Sequence, residues 1–341
     1  MRRGLPLLLA LASAAAGLLV AEGVVRLAGL APELHRIDVR PGSSAYRLSD
    51  DVRLGYELIP NFRGPASSDH FTFDYVNAHG FRDRERTLAK PPGARRVLVL
   101  GDSVVAGHGL ARREDTIPAQ LERRLPGLEV LNMGVGGYCT GGEVRLLEVR
   151  GLAWASDVVV IVYVENDTDD LNSQLIELVQ QERSARPAWT QDLFVSSALF
   201  RFVAVRLDLW DLRRLAQLPR RIEQHMDALA PDNVRSGLKR LAELAREHHF
   251  EVLVALWPRF HAAGVSEPAG PGEVAAREHG LRVLRLSDAF RRTPCETTPA
   301  KCFTTGDGMH PNVRGAAVAA DALAKELVRT QPPANAGPRS P

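Results

Sequence analysis

Arg95–Gly109, RRVLVLGDSVVAGHG, is the stretch from which the fold can be read. Val97 to Leu100 is an unbroken run of valine and leucine, the pattern of a strand covered on both faces in a parallel sheet. Gly101, Asp102 and Ser103 then break the strand in a tight turn, and Ala106, Gly107 and Gly109 are small enough for a following segment to pack closely. A serine at the carboxyl end of a parallel strand lies where open α/β sheets bind ligands, which makes Ser103 a candidate nucleophile. Alone, the tripeptide reads equally well as a turn with a capping serine. A nucleophilic serine needs a general base, a group that orients the base and donors for the oxyanion, all from elsewhere in the chain.

The same rhythm continues downstream. Thr116 to Leu125 has helical spacing, Glu129 to Leu131 begins a second strand, and Asn132–Tyr138 (NMGVGGY) ends it in glycines. A helix over Gly142 to Gly151 leads into Asp157–Val164, DVVVIVYV, which predicts a central strand followed at once by Glu165-Asn166-Asp167. Residues 170–232 break the pattern into helical stretches, Ala198 to Leu215 and Gln217 to Leu229, expected as an insertion: a lid beside the site or a solvated hairpin. The rhythm resumes with a helix at Val234 to His248, a strand at Phe250 to Trp257, a helix at Gly272 to His279, a strand at Val283 to Leu286 and a last helix at Asn312 to Arg329. These repeats predict a doubly wound α/β domain of about five parallel strands over residues 94–330.

Composition bounds the function. The 341 residues are 45% hydrophobic and 25% charged, as expected of a protein with a sizeable core. Its 43 basic and 41 acidic residues give no net field that would favour nucleic acid as a partner. The N-terminus departs from this average: Met1-Arg2-Arg3 precedes an uncharged run from Gly4 to Ala21. As a helix rising 1.5 Å per residue, this run nearly matches the roughly 30 Å hydrocarbon core of a bilayer. Residues 1–30 are therefore expected as a signal anchor in the inner membrane, the arginines cytoplasmic and the rest periplasmic or extracellular. Small residues around Ala12-Ser13-Ala14 and Ala14 to Gly17 offer the alternative of a cleaved signal peptide and a secreted protein.

Residues 31–93, rich in Pro, Gly and Ser, are expected as an extended arm with ordered turns at Gly55-Tyr56, Pro60-Asn61 and Asn77–Asp83 (NAHGFRD). The Pro-rich tail, 331–341, is expected to be disordered. Cys295 and Cys302 flank a short loop and can pair in an oxidising compartment, leaving Cys139 as a small buried residue. The histidines are not clustered at ligand spacing, so neither a metal nor another cofactor is expected. Asp167, Asp169 and Asp170 could suggest a cation site, but acidic loops after strands are usually solvated or cap helices.

Asp307 and His310 stand three apart in TGDGMHP, just before the last helix. This spacing lets the carboxylate accept a hydrogen bond from one imidazole nitrogen while the other faces outward. With that pair, the chain resembles the SGNH/GDSL hydrolase family, whose blocks occur in order as Gly101-Asp102-Ser103 with Gly107, Asn132 to Gly137, Asn166-Asp167 and Asp307-Gly308-Met309-His310. The resemblance implies a three-layer, flavodoxin-like fold. It also implies Ser103 as nucleophile, His310 as base, Asp307 as its orienting partner, and an oxyanion hole made by the N–H groups of Ser103 and Gly137 and the amide of Asn166. Gly136 or Gly134 remains an alternative to Gly137.

One departure stands out: Val164 replaces the family's usual glycine two residues before the Asn, with Glu165 between them. Val164 would add bulk near the oxyanion hole, and Glu165 would oppose negative charge if it pointed inward. His108 and the Trp257–His261 loop are candidates either to line the pocket or simply to pack. The layout as a whole is similar to membrane-anchored bacterial members of the family.

The leading expectation is a serine esterase that cleaves an O-acetyl or short acyl ester of a small molecule, envelope glycan or lipid. The same triad would serve an O-acyltransferase if a sugar hydroxyl replaced water. A membrane-tethered binding or assembly protein without turnover is the rival reading, and the joint presence of Ser103, Asn166, Asp307 and His310 argues against it.

Overall fold

The computed structural model describes residues 5–31, 45–49, 51, 54, 56–68, 71–168, 188–207, 209 and 232–329. Its contacts divide the chain into two compact units, 1–37 with 173–224 and 38–172 with 225–341.

The second unit holds the sheet. Strands β5 (Arg95–Gly101), β6 (Leu128–Gly134), β7 (Val158–Tyr163), β8 (Glu251–Leu256) and β11 (Arg282–Arg285) form five parallel strands in the order β11-β8-β7-β5-β6. The apolar runs occupy its centre, and every residue of β7 is buried. Along β5 and β7, Val97, Val99, Val158, Val160 and Val162 belong to the cluster that includes Ile117 and Leu121 of α3 (Ile117–Arg124) and the Ala316-Ala319-Ala320-Leu323-Leu327 face of α11 (Val313–Arg329). Alternate strand residues point to the other face. There α4 (Thr140–Leu146) packs against α7 (Asn233–His248), which buries Val234, Leu238 and Leu241. The result is the expected α/β sandwich with helices on both faces. Helix α8 (Gly272–Glu278), strand β11 and helix α9 (Ser287–Arg292) complete its edge, and the short α10 (Pro299–Phe303) precedes α11.

The strand register brings the chemistry-bearing turns together. Gly101 pairs with Gly134, so the two turns that leave β5 and β6 emerge side by side. A Cβ on Gly134 would lie 2.3 Å from the Ala106 backbone nitrogen, so only glycine lets β6 approach the segment after Ser103.

Residues 45–93 differ from the extended arm expected of them. They form two antiparallel pairs, β1 (Tyr46–Leu48) with β2 (Tyr56–Leu58) and β3 (Arg63–Ser68) with β4 (Phe71–Tyr75). Tyr56, Leu58, Val76, Phe81 and Arg82 are buried, and the segment belongs to the same compact unit as the sheet. Pro, Gly and Ser gave it the composition of a linker; what anchors it are scattered aromatic and arginine side chains with no period to read. The Asn77–Asp83 turn is ordered as expected, its Asn77 Oδ1 accepting from the N–H groups of His79 and Phe81 at 3.0 Å each.

A short pair, β9 (Arg259–Phe260) with β10 (Val265–Ser266), lies between β8 and α8. Cys295 and Cys302 form a disulfide, and Cys139 is buried. The tail expected to be disordered lies outside the described residues.

In the first unit, α1 (Leu5–Leu27) is long and apolar enough over Leu9–Leu27 to cross a membrane, as an anchor or a signal sequence does. Two helices of the insertion belong to the same unit, α5 (Ala188–Ser196) and α6 (Ala198–Arg206). Glu22 caps α6, accepting from Ala198 N and Leu199 N at 2.8 Å each and from Ser197 Oγ at 2.7 Å. The rest of the helix expected over Ala198 to Leu215, and that over Gln217 to Leu229, fall largely or wholly outside the described residues.

Arg96 anchors the amino end of the sheet. Its side chain is fully buried, bonds Glu129 Oε2 through Nε at 2.9 Å and Nη2 at 2.7 Å, and donates to the carbonyls of Leu88 and Trp154 at 2.9 and 2.7 Å. Replacing it leaves a partly buried carboxylate and several carbonyls without donors. Arg96→Met is therefore expected to destabilise the fold by about 3–5 kcal/mol. Urea unfolding of the full-length protein in mild detergent measures this, and a midpoint unchanged from that of the unmodified protein would contradict it.

Candidate active site

Ser103 opens α2 (Ser103–Ala106) at the carboxyl end of β5. Asp102 caps this short helix, its Oδ1 accepting from Val104 N at 2.9 Å. Ser103 is 7% exposed, enough for its hydroxyl to be approached from one side.

His310 reaches Ser103 from the other end of the sequence, its Nε2 lying 2.8 Å from Ser103 Oγ. On the opposite edge of the ring Nδ1 lies 2.5 Å from Asp307 Oδ2. A carboxylate can only accept, so Nδ1 carries the proton and Nε2 is left to accept from the serine hydroxyl. Asp307 is itself fixed, its Oδ1 accepting from the Met309 and His310 N–H groups at 2.9 Å each. Partial burial pushes its carboxyl up, but those N–H groups and the imidazole outweigh this and hold it below the ordinary value, so it stays ionised. Trp257 Nε1 donates to Met309 O at 2.9 Å and steadies the loop from the core. Ser103 Oγ also lies 3.3 Å from Asp102 Oδ2, a longer and weaker contact than that to the imidazole.

Three groups are the candidates for an oxyanion hole. The Ser103 N–H heads a helix, where no intrahelical acceptor exists. Asn166 follows β7 and gives one amide hydrogen to Asp102 Oδ2 at 3.1 Å, leaving the second for another acceptor. Among the glycines, Gly134 N–H is taken by Asn132 Oδ1 at 2.9 Å. Gly137, at φ +79°, is a candidate whose N–H has no bond among the described residues. Of the three glycines weighed for the second donor, Gly134 is thus engaged elsewhere.

The model of the GDSL-like lipase/acylhydrolase family matches residues 99–318, which include every one of these groups. The chain belongs to that family. Among solved structures, the lipase/acylhydrolase from Enterococcus faecalis is 18% identical with a TM-score of 0.41, over 70% of this chain and 98% of that one. An α/β-hydrolase, LAE5, from the metagenome of Lake Arreo, Spain, is 15% identical with a TM-score of 0.40, over 70% and 98%. A two-domain esterase active on acetylated mannans is 15% identical with a TM-score of 0.40, over 72% of this chain and 53% of its own. No curated protein matches the chain.

As a GDSL-family protein the chain is an ester-bond hydrolase, and its departures from the family pattern have definite places in the fold. Val164, expected to add bulk near the oxyanion hole, is buried in the hydrophobic core. Glu165 does not face the donors: its Oε2 pairs with Arg259 Nε at 3.0 Å and accepts from Ala269 N at 3.2 Å. Nor is Asp167 part of a solvated acidic loop. It is fully buried, accepting from Thr140 Oγ1 at 3.0 Å, while Asp169 and Asp170 lie outside the described residues. Of the suspected pocket residues, Trp257 and Phe260 pack in the core, His261 is exposed, and His108 is buried with its ring stacked on that of His310, centroids 5.7 Å apart. Burial pushes the His108 imidazole well below its ordinary value, reinforced by the Arg82 charge, which keeps this ring neutral.

Two features of this hydrolase had no sequence signal. One is Arg82, whose turn was legible but whose side chain was not. The other is Glu143, buried on α4, with neither carboxyl oxygen hydrogen-bonded among the described residues. Burial pushes both Glu143 and Asp167 well above the ordinary carboxyl range, and the acids Asp167, Glu143 and Asp102 sense one another's charge. A carboxyl raised in the folded state contributes most below its ordinary value, 4.5 for Glu143, and loses that contribution as pH climbs towards the folded value. Glu143→Gln abolishes the loss. Urea unfolding between about pH 4 and pH 8 should show the variant gaining on the unmodified protein as pH rises, and a gap that does not change with pH would refute the assignment.

Proposed function

We propose that this hydrolase is a serine esterase in which Ser103 is the nucleophile, His310 the general base and Asp307 the residue that orients it. The observation that carries the reading is the unbroken line from Ser103 Oγ to His310 Nε2 at 2.8 Å and from His310 Nδ1 to Asp307 Oδ2 at 2.5 Å. Such a line is a costly arrangement for a surface loop to hold unless the hydroxyl is to be deprotonated.

In the first half-reaction His310 Nε2 takes the hydroxyl proton as Ser103 Oγ bonds to the ester carbonyl carbon. The carbonyl oxygen becomes an oxyanion, received by the Ser103 N–H, the Gly137 N–H and the Asn166 amide. Collapse breaks the carbon–oxygen bond to the alcohol, which leaves with the proton from His310 and an acyl-serine behind it. Water then repeats the steps: His310 takes its proton, the hydroxide adds to the acyl carbon, and the acid leaves as Ser103 regains its hydrogen. Neutral donors suit this charge, since they stabilise it without a counter-ion.

For the substrate we favour an O-acetyl or short-chain ester on a glycan or lipid of the cell envelope, with residues 94–330 carrying the chemistry on the exported side of an N-terminal anchor. The apolar α1 supports the location. An N-terminal helix of this kind would place the esterase where envelope polymers carry acyl groups.

A fluorophosphonate probe tests the mechanism on the full-length protein. The unmodified protein should label, and Ser103→Ala and His310→Ala should not; a folded, unmodified protein that stays unlabelled would sink the proposal. On p-nitrophenyl acetate, Asn166→Ala should lower kcat by about 10²–10³, the usual loss for one oxyanion donor. A kcat equal to that of the unmodified protein would remove Asn166 from the hole.

A further inference from the structure

We propose that the segment preceding the family-matched region belongs to the catalytic apparatus, with Tyr46, Tyr56 and Arg82 as positioning residues that aim the two backbone donors of the oxyanion hole. The inference rests on the reading of Ser103 as nucleophile and Gly137 as oxyanion donor.

The argument begins with one peptide group. Tyr56 Oη donates to Gly136 O at 2.8 Å. That carbonyl belongs to the peptide whose nitrogen is Gly137 N. The peptide is planar and trans, so its C=O and N–H point in opposite directions, and fixing the oxygen fixes the direction of the Gly137 N–H. The Tyr46 hydroxyl closes on the same residue, 2.8 Å from where a Cβ on Gly136 would stand. The rotation that would swing the Gly137 N–H is therefore restrained through Gly136, a residue type otherwise among the least constrained.

The tyrosines are themselves immobile. Tyr46, Tyr56 and Tyr138 are buried, with ring centroids 5.5 Å apart for Tyr46 and Tyr56 and 5.4 Å apart for Tyr56 and Tyr138, and Tyr138 Oη donates back to Tyr56 O. Burial raises the Tyr46 and Tyr56 hydroxyls above their ordinary value, so each keeps its proton.

Arg82 does the same for the other donor. Its Nη1 donates to Ala106 O at 3.1 Å and Gly107 O at 2.6 Å, and its Nη2 to Leu110 O at 2.6 Å. These carbonyls lie where α2 ends, within a turn or two of Ser103, and a helix this short has almost no stability of its own. The rigid guanidinium fork gathers three carbonyls that would otherwise splay, and in doing so sets the pitch of the turn that aims the Ser103 N–H. His108, on the same turn, joins the two halves. A Cβ on Gly136 would lie 2.5 Å from its Cε1, and its ring stacks on His310. A shift of the turn held by Arg82 would thus reach Gly136 and the base together.

The test uses the full-length protein, p-nitrophenyl acetate as substrate and fluorophosphonate labelling to count active serines. Tyr56→Phe removes one hydroxyl and keeps the ring. Per labelled serine, kcat should fall about 10- to 100-fold, part of the loss caused by removing a donor outright. KM should stay within about 2-fold, because the interaction lost is made only in the transition state. A kcat per labelled serine that matches the unmodified protein overturns the proposal. So does activity that falls only in step with the number of labelled serines, the result a merely structural role would give. If Tyr56→Phe does not accumulate as folded protein, Arg82→Lys carries the same expectation and the same refutation, since a point charge cannot span three carbonyls. Failure of the unmodified protein to label or turn over would instead strike the proposed function, so the two failures are distinguishable.

Discussion

The Asp102 carboxylate is the constraint on which the site depends. It sits fully buried at the end of β5, where a lone ionised group would be prohibitively costly. Burial raises its carboxyl above the ordinary value, and the Val104 N–H and the Asn166 amide pull against that. Through Val104 the carboxylate starts the helix that begins at Ser103, and through Asn166 it ties the end of β7 to the end of β5. One buried carboxyl thereby links the proposed nucleophile and a proposed oxyanion donor, because its oxygens, out of reach of water, need donors from the chain.

Glycines at the strand ends make the gathering sterically possible. Gly101 and Gly134 pair across β5 and β6, and a side chain on either would collide with Val105 or with the backbone at Ala106. Gly107 and Gly109 admit Thr116 and Thr305 on the far side of α2. A four-residue helix contributes little stability, so its position is set by what closes around it rather than by its own hydrogen bonds.

Around this centre the interior holds several carboxyl groups, Asp102, Glu143 and Asp167 among them. Asp307, partly exposed and surrounded by donors, is held ionised; Glu143 and Asp167, sealed behind the sheet's carboxyl edge, are pushed towards the neutral form. Environment alone separates these acids. Glu165, the acid that proximity to Asn166 made suspect, is turned outward by Arg259.

The sequence by itself determined the sheet and the chemistry-bearing ends of its strands. Val97–Leu100 and Val158–Val164 are apolar on both faces, and that pattern has one low-energy use, the centre of a parallel sheet whose carboxyl edge receives the next turn and its side chains. Ser103, Asn166, Asp307 and His310 were legible because each stands in a short local motif that the family resemblance picks out. Tertiary structure alone decided the rest. It removed Gly134 from the candidate oxyanion donors, because its N–H is taken by Asn132 Oδ1. It drew residues 45–93 onto the sheet unit through Tyr56 and Arg82, whose contacts have no period and no local motif. Long-range hydrogen bonds between single side chains and backbone groups leave no pattern in a sequence, because neither partner's neighbours need to be of any particular kind.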